Sequence, residues 1–139
     1  MLISVILTKQ RSEQVIEAAK ELGEIILEQV GTLDSQGIKD VLNSAARVAS
    51  DILILDLDIG AGRDIVASLQ GFRIARPHTR IIILAPDKEP GDVIVSSLVG
   101  LGIYDIVSGP KDTDWGKLII DALSSQPATY AQAARWHTG

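Results

Sequence analysis

A chain of 139 residues is one ordinary domain, and 46% hydrophobic with 22% charged residues excludes a disordered segment. It has no cysteine, which excludes a disulfide framework, a Cys-ligated zinc site and a thiol nucleophile, and fits a cytoplasmic address. The net charge of −5 sets the domain against nucleic-acid backbone, and no apolar run approaches the ~20 residues of a membrane span.

A mass of 14.9 kDa predicts a folded surface of roughly 7,000 Å², about a third of the unfolded value, so a core can form without staples. Aromatic residues are 4% of the chain, so that core is expected to be aliphatic. The opening MLISVILT lacks a basic region and a cleavage site and reads as a strand rather than a signal peptide.

Taken in order, the first candidate strand is Leu2–Leu7. A helical stripe of Val15, Ile16, Ala19 and Leu22 follows, with Ser12 as its expected N-cap. The second strand is Ile25–Val30; the second helix carries Ile38, Val41, Leu42, Ala45 and Ala49 and opens at Asp34. The third strand is Ile52–Leu57. Its helix carries Ile65, Val66, Leu69 and Phe72 and ends before Pro77. The fourth strand is Ile81–Leu84, with a helix from Val93 to Leu101 behind Pro90-Gly91. The fifth is Tyr104–Val107, with a helix on Trp115, Leu118, Ile119 and Ala122.

Short apolar runs without polar alternation are how strands read when both faces are covered. Five strands alternating with five helices predict an α/β fold with a parallel sheet in the flavodoxin-like order 2-1-3-4-5. Residues 1–125 form the expected domain. From Pro127 the chain turns Ala-rich and polar, so 126–139 reads as a linker or C-terminal tail, either free or packed back on the body through Tyr130 and Trp136.

Ligands in such sheets bind beyond the carboxyl ends of the strands. After the third strand stand Asp56 and Asp58, two apart and able to share one face, a candidate Mg²⁺ pair. Gly60-Ala61-Gly62 lacks the third glycine of a dinucleotide fingerprint, and no GxxxxGK[ST] occurs. His78 and His137 have no partners at triad spacing. Arg73, Arg76, His78 and Arg80 form the one basic cluster, read as a solvated helix end and loop. Val93–Ile103 carries no charge, which marks a helix buried all round or one that meets a partner.

Three runs carry a family resemblance: Asp51-Ile52-Leu53-Ile54-Leu55-Asp56-Leu57, Arg80-Ile81-Ile82-Ile83-Leu84-Ala85, and Gly102-Ile103-Tyr104-Asp105-Ile106-Val107 followed by Gly109-Pro110. Over about residues 1–125 the chain resembles the response-regulator receiver (CheY-like) domain. The resemblance implies a phosphoacceptor at Asp56. Its acidic metal pair would fall on Thr8 and Lys9, its switch hydroxyl on Ala85 and its lysine on Gly109. All four positions are degenerate, though Lys111 lies two residues beyond Gly109. LAPDKEPGDVIVSSLVGLGIYDIV is similar to the receiver-like N-terminal domains of CpaE-like ParA/MinD-type ATPases.

These residues lead to the expectation of a non-catalytic pseudo-receiver without cofactor. It would contact a protein partner or a second copy through its fourth helix, fifth strand and fifth helix. Val93, Val95, Leu98, Val99, Leu101 and Tyr104 are the expected contact residues. Two alternatives are a phosphorylatable receiver, with Asp58 helping to hold Mg²⁺, and a small-molecule domain using the Gly60–Arg63 and Pro86–Gly91 loops.

Overall fold

The strands form where the Ile, Leu and Val runs stand, and the three central runs are sealed on both faces. A computed structural model describes residues 1–137. The strands are β1 (Leu2–Leu7), β2 (Glu24–Val30), β3 (Ile52–Asp56), β4 (Arg80–Pro86) and β5 (Asp105–Gly109). The helices are α1 (Lys9–Leu22), α2 (Ser35–Ala46), α3 (Asp64–Ala75), α4 (Val93–Gly100), α5 (Trp115–Leu123) and a short α6 (Tyr130–Ala133). All strand pairs are parallel and the order is β2-β1-β3-β4-β5, as expected from the alternation.

Strand side chains point to opposite faces in turn. Ile52 and Ile54 of β3, with Ile82 and Leu84 of β4, enter the layer under α1 and α5. Leu53, Leu55, Ile81 and Ile83 enter the layer under α2, α3 and α4. The accessible surface is 6939 Å², close to the expectation from mass. Among the described residues, no helix is long and apolar enough to cross a membrane.

Helix starts follow local chemistry. Asp34, Asp92 and Asp114 each accept a backbone N–H three residues on, at 2.7, 3.0 and 3.1 Å. The first helix departs from expectation. It opens at Lys9, and Ser12 lies inside it, donating back to the Lys9 carbonyl. Thr8 holds the N-cap position without capping, because its hydroxyl is committed elsewhere.

Over its described part, the C-terminal segment folds back onto the body. Tyr130, Ala133 and Trp136 recur every three residues, and Ala133 and Trp136 are each 2% exposed in the layer that holds α4. Arg80 anchors the approach. Its guanidinium grips both Asp105 oxygens, at 3.0 and 2.8 Å, and donates to the carbonyls of Ala122 and Ser125. Asp105 in turn accepts from the Ala128 N–H at 3.1 Å. Tyr104 meets Tyr130 edge-on, with ring centroids 5.8 Å apart.

Trp136→Ala should therefore lower unfolding free energy by about 3 kcal/mol or more, the usual cost of emptying a buried tryptophan site. Urea denaturation checks this. A change below ~0.5 kcal/mol, typical of exposed positions, would return the segment to a free tail.

Candidate functional site

β3 ends with Asp56 under the α1–α5 face, at the carboxyl edge of the sheet. The side chain is 0% exposed. Burying a carboxylate is costly unless it is paired and hydrogen-bonded. Oδ2 accepts from Arg11 Nε at 2.6 Å and from the Thr8 hydroxyl at 2.8 Å. Oδ1 accepts from the Asp58 N–H at 2.9 Å and from Arg11 Nη2 at 3.4 Å. Both oxygens are thus engaged, chiefly by one guanidinium.

Arg11 is itself buried, at 5% exposure. It sits in the first turns of α1, on the face that also buries Val15, Ala18 and Ala19. Its guanidinium lies 5.9 Å from the Trp115 ring centroid, within cation–π reach. Trp115 is held by a bond from its N–H to Gln14 Oε1 and another from its indole N–H to the Lys111 carbonyl. The packing of α1 on α5 therefore aims the guanidinium at β3.

Asp58 follows in a 3-10 turn, Leu57–Ile59. It accepts from Arg11 Nη2 at 2.9 Å, with Lys88 Nζ at 3.7 Å and Lys111 Nζ at 3.9 Å. Asp87 brings the two lysine-bearing loops together. Its N–H donates to the Gly109 carbonyl, and its side chain accepts from the Lys111 N–H. Its φ of 57° lies in the left-handed region, which Asp tolerates better than most residues.

Three cations thus surround two carboxylates. The buried Arg11–Asp56 pair is little screened, while the partly exposed contacts of Asp58 with Lys88 and Lys111 are worth about 1 kcal/mol or less each. A divalent ion placed here would meet more repulsion than attraction. Among the described residues, no cluster of three or more Asp, Glu, His or Cys side chains could hold a metal.

The four positions at which the sequence departs from the pattern it resembles fall as follows. Thr8 is buried and bonded to Asp56, while Lys9 is exposed. Ala85 is fully buried among aliphatic neighbours. A Cβ on Gly109 would stand 3.0 Å from Thr113 Oγ1, so any side chain there requires Thr113 to shift. At Gly60, a Cβ would come within 2.5 Å of the Leu33 carbonyl oxygen. That glycine admits the β2–α2 loop to its side. Arg11 was missed by sequence reasoning, although it stands four residues before Val15 on the apolar stripe.

Most of the expected contact residues lie inside the domain. Val95 and Leu98 are 0% exposed and Val99 is 2% exposed, all inside the core. Leu101 and Tyr104 are half-buried. Of the six, Val93 alone is open, at 59%. The uncharged sequence of α4 arises because the sheet lies on one side of it and the Trp136 segment packs on another. Val95→Asp or Leu98→Asp would bury a charge and unfold the domain, so neither tests association.

Arg11→Met strands a buried carboxylate and should cost about 3–5 kcal/mol in urea denaturation, whereas Asp56→Asn combined with Arg11→Met should recover much of that loss. Equal losses in the single and double variants would show the pair to be uncoupled.

No family model and no curated protein matches the chain. Two solved structures of the Salmonella typhimurium RcsB response regulator are similar to it. One is 18% identical, with a TM-score of 0.58, over 96% of this chain and 68% of that one. The other is 19% identical, with a TM-score of 0.57, over 96% and 65%. The chain thus spans about two thirds of the length of these proteins, and it has the fold of a response-regulator receiver.

Proposed function

We propose that the domain is a non-catalytic pseudo-receiver, a receiver scaffold that works by protein contact in the cytoplasm. The observation that carries this reading is the Arg11 guanidinium seated on Asp56. Phosphoryl transfer to a carboxylate needs a free oxygen for in-line attack and a cation that neutralises the incoming phosphoryl oxygens. Here both Asp56 oxygens are engaged, and the cation belongs to the chain and neutralises the acceptor itself. Ala85 has no hydroxyl to meet a phosphoryl group, and Gly109 has no ammonium.

The similarity of residues 84–107 to CpaE-like proteins supports placing the domain at the front of a ParA/MinD-type ATPase, as a regulatory or localisation module. Contact with a partner or a second copy would use the side of α4 that the C-terminal segment leaves open. Val93 is exposed there, beside a groove of about 290 Å³ that Val66 and Ile94 also line.

The test is an intact mass spectrum after incubation with acetyl phosphate and Mg²⁺. The reading predicts no gain of a phosphoryl group in the parent. A gain that disappears in Asp56→Asn would overturn it and restore Asp56 as a phosphoacceptor.

A further inference from the structure

The basic cluster read from the sequence resolves into paired and unpaired members. Arg76 donates to the Ala46 carbonyl at 2.7 Å. Arg80 is consumed by Asp105 and two carbonyls. The side chains of Arg73 and His78 make no ion pair or hydrogen bond with the described residues. Arg73 is half-buried, and its guanidinium carries five N–H donors. Its Nη2 lies over Gly102, 3.3 Å from where a Cβ would stand. Gly102 has φ +88°, so glycine there both permits the turn after α4 and makes room for the guanidinium.

Arg73 and His78 line a cleft of about 290 Å³ at the amino edge of the sheet, away from Asp56. Tyr104, Pro77 and Pro127 give it flat apolar walls. Asp105 also borders it, but its charge is met by the two-pronged contact with Arg80.

We propose that this cleft binds a small oxyanion, a phosphate or carboxylate group carried on a flat apolar body. The Arg73 guanidinium is the fork that receives two oxygens, and the His78 imidazole is a second donor. Because Pro127 and Ala128 form part of the wall, the bound anion would bridge α3 to the C-terminal segment. The site is independent of the Asp56 chemistry and stands or falls apart from it.

The test is an NMR titration of the intact chain with phenyl phosphate, benzoate and inorganic phosphate, following the Thr79, Gly102 and Ala128 amides. Saturable shifts with phenyl phosphate or benzoate are expected, with the stronger of the two naming the oxyanion and inorganic phosphate weaker than both. Arg73→Gln should weaken binding tenfold or more, with amides outside the cleft unmoved. The exposed Arg63→Gln should bind like the parent. Absence of shifts with all three probes, or equal affinity in Arg73→Gln, would overturn the proposal.

Discussion

A buried carboxylate at the end of a central strand cannot be left alone, and the ion pair between Asp56 and Arg11 answers that constraint. The strand carries Asp56 into a fully covered position because Ile52 and Ile54, on the same side, are core residues. Once there, the carboxylate needs a cation. A divalent ion or a side chain can fill that need, and this chain uses a side chain. The choice spreads outward. Thr8 gives its hydroxyl to Asp56 rather than to the helix cap. The contact of Trp115 with Arg11 ties α5 to the same point.

The same interaction sets what the edge of the sheet can do. Arg11, Lys88 and Lys111 stand around Asp56 and Asp58, so this edge of the sheet presents three cations to two carboxylates. The hydrophobic layers of the scaffold do not depend on the chemistry of that edge. Ala85 and Gly109 illustrate this: one fills aliphatic space and the other makes room for Thr113, so both serve packing.

Much of the fold was legible because strand and helix periods differ and every core strand here is short and aliphatic. Asp34 announced its helix by capping chemistry that acts over three residues. Helix α1 was less legible at its start, since what diverts Thr8 is a residue 48 positions away in sequence. Arg11 was hidden for a related reason: a charged residue on an apolar stripe reads as solvated until its partner is known. The C-terminal segment was half legible: Tyr130 and Trp136 stood out as residues able to pack back, but the burial of Ala133 and Trp136 depends on a groove beside α4 built from distant parts of the chain. Once that segment is in place, the uncharged α4 is explained largely as interior.

The Arg11 guanidinium takes the space beside Asp56 that a divalent ion would need. A titration with Mn²⁺ tests this most directly, by following paramagnetic broadening of the Asp56, Leu57 and Asp58 amides in the parent and in Asp58→Asn. The account predicts no selective broadening of these amides in the parent, because its own guanidinium and two lysines already surround both carboxylates. Saturable broadening centred on Asp56 in the parent, lost in Asp58→Asn, would show that a divalent ion competes successfully with Arg11 and would contradict the account.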